Sequence, residues 1–310
     1  MRLKDLSKSQ AKELQRLWDL LRSRDIHRPK AHLEKIRTFI SRLPDWAQSH
    51  PDDPETYLRK RMNANFSGWA GDVFETSIGL RFYDDDTEAL QCALMQAARL
   101  DYLASSRNLA SSGQDCLHIK KMFVGLAAAD WAVADAYMTT IPGPSTKGHK
   151  ASMRNVNLLY DVLQGKTASA EASAADWAKN RDREKQVYDQ ALTDGLCAIA
   201  LKDTAKLAGA LGVLVAKHAR QQDLNLGGMG KFFCYPAHAL YNIATQKAQM
   251  EPASIDKPKG ATWDSAFQDM IDTNRARSYS PLIDYAPANP HIAQWLKDLP
   301  PPPSPRVLMA

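Results

Sequence analysis

Alanine and leucine dominate the apolar residues of this chain, 44 and 33 of them against only 21 valines and isoleucines together. Small and unbranched side chains lose little freedom in a helix, whereas strands draw on β-branched ones. Position reinforces the bias. Leu14, Leu17, Trp18 and Leu21 recur three and four residues apart, as do Leu33, Ile36, Phe39, Ile40 and Leu43, which is the spacing of one helix face. The expected fold is therefore all-α. At 310 residues, with 44% apolar and 24% charged, the chain can build one large or two ordinary cores. Disordered, collagen-like and disulfide-scaffold classes are excluded by the same balance.

Charge divides the chain unevenly. Residues 1–62 hold 15 Lys or Arg against 9 Asp or Glu, while 63–250 hold 19 of each and 251–310 hold 6 against 7. The excess positive charge thus sits in a basic N-terminal helical segment, 1–62, in which the first helix is expected from Leu3 to about Arg24 and the second from about Pro29 to Leu43. Pro44, Pro51 and Pro54 mark a break, and 63–86 reads as an aromatic, glycine-punctuated connector. Because acidic residues break up its basic run, the segment reads as a solvated face rather than a nucleic-acid site.

Residues 87–250 form the main helical array. Thr87 is a possible N-cap for a stripe of Leu90, Leu94, Ala97, Asp101 and Ala104. A second helix is expected to carry Ile119, Phe123, Leu126, Asp130, Val133 and Tyr137 on one face, ending at Pro142, Gly143 and Pro144. A third carries Val156, Leu159, Tyr160 and Leu163 and closes at Gly165. Thr167 to Ala178 is a helix or helical linker, and later helices centre on Leu192, Leu211 and Leu240. Short loops between them imply an irregular antiparallel array; no period of 34 residues recurs around Trp131 and Tyr137. Ten of the seventeen prolines follow residue 250, so 251–310 is a Pro-rich tail of short helices docked on the array.

Few residues point to chemistry. Asp101 and Asp130 lie on apolar stripes, where a charge must find a partner or shift its pKa. Brought together, they would make an acid and base pair for a hydrolase; apart, each is a structural polar group in the core. Cys116 and His118 are two residues apart and would face different sides of a helix. His218 and His238 belong to no HExxH pattern, and the four cysteines form no CxxC. Gly227 to Lys231 superficially resembles a phosphate loop, but Asn225 stands where a glycine is required and Phe232 where Ser or Thr is. Those glycines read instead as a turn admitting Phe232, Phe233 and Tyr235 to the core. No cofactor, metal or catalytic residue is expected. With no 18-residue apolar run and no apolar stretch after Met1, the expected location is cytoplasmic, away from membranes.

One stretch carries a resemblance. Leu126, Ala127, Ala128, Ala129, Asp130 and Trp131 lead to Ala134, Asp135, Ala136 and Tyr137, then to Pro142, Gly148, Asn157 to Tyr160, Leu163 and Gly165. Across 87–178, with a second echo at Phe232 to Ala244, this resembles helical immunity proteins of bacterial polymorphic toxin systems. The resemblance implies a non-enzymatic antitoxin that binds a cognate effector delivered by a type VI or contact-dependent system, such effectors often being nucleases. The positive net charge departs from mimicry of DNA, which leaves a local acidic patch: Asp84, Asp85 and Asp86, flanked by Phe82 and Tyr83, form the candidate partner-binding cluster. A solvated loop is the alternative reading of that cluster. The competing functions are a hydrolase using Asp101 and Asp130, and a nucleic-acid adaptor acting through the basic N-terminus.

Overall fold

The computed structural model describes residues 3–105, 121–140, 144–146, 148–221, 228–274, 278–301 and 303–309. Cys116, His118, Ile119, Pro142, Gly143, Asn225 and Gly227 lie outside the described residues. Within them the fold is all-α, with no strand.

A capping box opens α1 (Lys8–Ser23): the Ser7 hydroxyl accepts from the Gln10 N–H while the Gln10 side chain accepts from the Ser7 N–H. The second helix, α2 (Pro29–Ser41), begins on its proline. The proline-marked stretch after it contains a short helix of its own, α3 (Leu43–Gln48), with Pro44 in its first turn. Asp53 then caps α4 (Pro54–Tyr83), which runs without interruption through most of the expected connector. Isolated glycines cost a helix about 1 kcal/mol each. Here burial of Phe66, Trp69, Val73, Phe74 and Ile78 outweighs them.

The next helix, α5 (Thr87–Leu103), is the axis of the fold. Every residue from Leu90 to Leu103 is buried, so no solvent face exists opposite the expected stripe. Helices α4, α6 (Met122–Ala127), α7 (Trp131–Thr140), α13 (Ser265–Thr273) and α14 (Pro290–Asp298) all pack against it. Its polar side chains reach outward to fix other segments. The Gln96 amide donates to the Ile283 carbonyl at 2.8 Å and accepts from the Ile283 N–H at 3.0 Å, holding an extended part of the tail. Arg99 donates to the carbonyls of Leu296 and Lys297 at the C-terminal end of α14, where orphan carbonyls and the helix dipole favour a cation.

The helix expected to unite Phe123, Asp130 and Tyr137 is two, α6 and α7. Ala129 has φ 59°, a left-handed conformation that ends the first helix. The freed carbonyls are collected from outside: Asn242 donates to those of Leu126 and Ala127 and Gln91 to that of Ala128.

The remaining array comprises α8 (Lys150–Leu163), α9 (Thr167–Asn180), α10 (Val187–Ala200), α11 (Thr204–His218) and α12 (Tyr235–Asn242), the last continuing as a π-helical turn, Ile243–Lys247. Gly165, at φ 68°, closes α8 with hydrogen bonds from its own N–H to Val162 and from that of Lys166 to Asp161, a Schellman end. One continuous hydrophobic core runs from Leu14 in α1 to Leu308 in the tail.

Candidate functional site

The Phe82 to Asp86 cluster is the corner between α4 and α5. Asp84 ends α4 through its N–H to the Leu80 carbonyl, Asp85 takes the left-handed turn position at φ 55°, and the Asp86 carboxylate caps α5 by accepting from the Ala89 N–H at 2.8 Å. Asp85 also pairs with the buried Arg81 guanidinium. Phe82 faces inward, edge-on to Phe232, and Tyr83 stacks on Trp18 while its hydroxyl donates to Gln15. The corner thus presents acidic groups to solvent, while Phe82 is an anchor for the core.

Asp101 and Asp130 are closed by different cations. The Asp130 carboxylate accepts from Nε and Nη2 along one edge of the Arg99 guanidinium, at 2.6 and 2.8 Å, a bidentate buried pair with Tyr279 covering a face of the guanidinium. Asp101 accepts from Lys121 Nζ at 2.6 Å and from the Ser67 hydroxyl at 3.2 Å. Burial outweighs these partners and holds its carboxyl above the ordinary aspartate range.

The two described histidines singled out earlier are buried and fully engaged. His218 Nε2 donates to the Gly230 carbonyl and Nδ1 accepts from the Tyr188 hydroxyl. His238 lies flat between Phe233 and Trp263; its Nδ1 donates to Gln268 and its Nε2 accepts from the Asp264 N–H. Burial pulls both imidazoles down to about 4. Among the described residues no cluster of three His, Cys, Asp or Glu could hold a metal. Cys92, Cys197 and Cys234 are buried.

The glycine turn at 228–232 does face an anion, but one belonging to the protein. The N–H groups of Gly228 and Met229 point at the Glu75 carboxylate, and Lys231 pairs with Glu13. Phe232, Phe233 and Tyr235 pack into the core beyond it.

Two features escape a reading along the chain because they join distant segments. Arg81 donates through Nε and Nη2 to Asp264, which itself caps α13, and the network continues from His238 through Gln268 to Asn242. Neither Arg81 nor Asp264 is marked by any local motif. The second is an open cleft of about 460 Å³ between α2, α3 and α4. Phe39 and Trp69 form its floor, Trp46 one wall, and Glu34, Lys35 and Arg42 its rim. Arg61 covers Trp46, its guanidinium carbon 5.2 Å from the ring centroid. Within the basic segment Trp46 follows Arg42 by four residues, and folding brings Trp69 of α4 to the same cleft.

No known protein family, no curated protein and no solved structure matches this chain. Among the described residues no helix is long and apolar enough to cross a membrane.

Proposed function

We propose that this protein is an immunity protein, a helical antitoxin that binds a cognate secreted antibacterial effector and blocks it by direct contact. The observation that carries the reading is the separate closure of Asp101 and Asp130, by Lys121 with Ser67 and by Arg99. Those carboxylates are the acid and base on which the hydrolase alternative depends, and each is spent inside its own ion pair. The resemblance across 87–178 supplies the kind of partner: an effector, a nuclease among the candidates, neutralised in the cytoplasm of the producing cell without any cofactor. Buried anchors would supply most of the affinity of such a contact, and complementary charge its rate and register. At the acidic corner, Asp84 and the outer carboxylate edge of Asp85 are what a basic effector surface would meet.

The test is co-expression of the tagged protein with the product of the neighbouring gene, followed by size-exclusion chromatography and a growth assay. Co-elution with relief of toxicity is the expected result. Separate elution with toxicity unrelieved would overturn the reading.

A further inference from the structure

The cleft between α2, α3 and α4 combines an aromatic floor with uncompensated positive charge. Asp72 is answered within the protein by Lys35 at 2.6 Å, while Glu34, largely exposed, makes only a long pair with Arg37 at 3.6 Å. Arg42 and Arg61 have no carboxylate partner among the described residues, and both are exposed. They flank Trp46, which is only half-buried: Phe39 tilts against it at 5.9 Å between centroids and Arg61 lies over it. His50 stacked on Tyr57 and Arg61 bonded to the Tyr57 hydroxyl extend this aromatic and basic surface along α4. The volume of about 460 Å³ falls within the range of about 300–1,000 Å³ typical of sites that engulf a ligand.

We propose that this cleft is the docking site for an acidic protein segment whose aromatic or long aliphatic side chain enters between Trp46, Phe39 and Trp69. The apolar floor takes the anchor. Arg42 takes a carboxylate on one side of it, and Arg61, whose Nε and Nη2 edge already donates to the Tyr57 hydroxyl, offers the outer Nη1 end of its guanidinium on the other. A protein segment fits better than a nucleic acid. Glu34, exposed on the rim, would oppose a run of phosphates, whereas an acidic peptide can space its carboxylates around it. The inference rests on the reading of the protein as an inhibitor that works by contact, and it assigns to that contact a second surface, of opposite charge to the acidic corner.

The experiment is isothermal titration calorimetry on the full chain with defined probes. The first is a capped octapeptide of three glutamates, Trp-Leu and three glutamates. Its controls replace Trp-Leu by Ser-Ser, or glutamate by lysine, and a ten-nucleotide oligothymidylate is titrated in parallel. The anchored acidic peptide is expected to bind, and to lose at least about tenfold in affinity without its anchor or against Arg42→Glu/Arg61→Glu. Both arginines are exposed, and the milder Arg42→Gln/Arg61→Gln, checked by circular dichroism, guards against a folding effect. Equal binding of anchored and unanchored peptides, preference for the oligothymidylate, indifference to the arginine variants, or no binding would each overturn the proposal. The same variants carried into the co-expression assay separate the two claims. Co-elution that survives Arg42→Glu/Arg61→Glu removes the cleft and keeps the inhibitor, whereas absence of a co-eluting partner removes the inhibitor while the peptide titration still decides the cleft.

Discussion

Arg99 joins more of the molecule than any local motif suggests, binding Asp130 from the α6–α7 break and two carbonyls at the end of α14. Removing one member of a buried pair strands the other's charge, which costs about 3–5 kcal/mol, while replacing both by apolar groups can recover much of the loss. Asp130→Ala is therefore expected to lower stability by that amount in urea denaturation, and Arg99→Met/Asp130→Leu to be more stable than the single variant. Equal stability of Asp130→Ala and the parent would contradict a structural role. At the acidic corner the three aspartates separate by duty. Asp86→Ala removes an N-cap and is expected to cost about 1 kcal/mol. Asp84→Lys, at the negative end of α4, should fall within about 0.5 kcal/mol of the parent and is the clean probe of partner contact there. Thermal melts of the two, side by side, check the difference. That the carboxylates of Asp101 and Asp130 need partners was legible from their apolar stripes; that Arg99 and Lys121 answer them was not, since long-range pairing leaves no local periodicity.

Among the elements, α4 and the α6–α7 pair show where sequence periodicity serves and where it fails. Gly68, Gly71 and Gly79 suggested an irregular connector, but α4 runs through all three. Gly79 has a packing reason: a Cβ there would come within 2.1 Å of the Trp18 ring, so glycine lets α1 lie close against α4. Gly79→Ala is expected to cost about 1–3 kcal/mol by overpacking, with Trp18 fluorescence shifted toward the spectrum of a more exposed indole. An unchanged spectrum and urea midpoint would show that α1 does not depend on that approach. The end of α8 was legible because Gly165 occupies the position a Schellman end requires. The end of α6 was not, because Ala129 is an unremarkable residue forced left-handed while Asn242, far away in sequence, satisfies the carbonyls left behind. The cleft was illegible for the same reason: Trp69 belongs to a different helix from Arg42 and Trp46 and joins them only after folding.

For the molecule as a whole, one continuous core with neutral histidines inside it implies a definite response to acid. In the unfolded chain His218 and His238 titrate near 6.5, whereas burial keeps them neutral down to about 4. The unfolded state therefore takes up protons first, and stability present above about pH 6.5 is lost as pH falls toward 4, by roughly 3 kcal/mol for each imidazole. Asp101, whose carboxyl burial holds up, works in the opposite direction and offsets part of this. Urea midpoints are expected to drop steeply between pH 7 and pH 4.5, and a flat profile would contradict the buried, neutral assignment. The all-α class and the helical character of most segments followed from alanine, leucine and their spacing; the way the tail is clamped to α5 by Gln96 and Arg99 did not, because it is a pairing of side chains with distant backbone. The central claim is that the protein acts on its partner by binding and not by turnover. Titrating the purified protein into the purified product of the neighbouring gene, while following that product's toxic activity, tests it directly. A linear loss of activity that ends at a fixed molar ratio, with both chains recovered intact in one complex, is the result predicted here. Complete inactivation by a small catalytic fraction of the protein, or activity untouched at large excess, would contradict it.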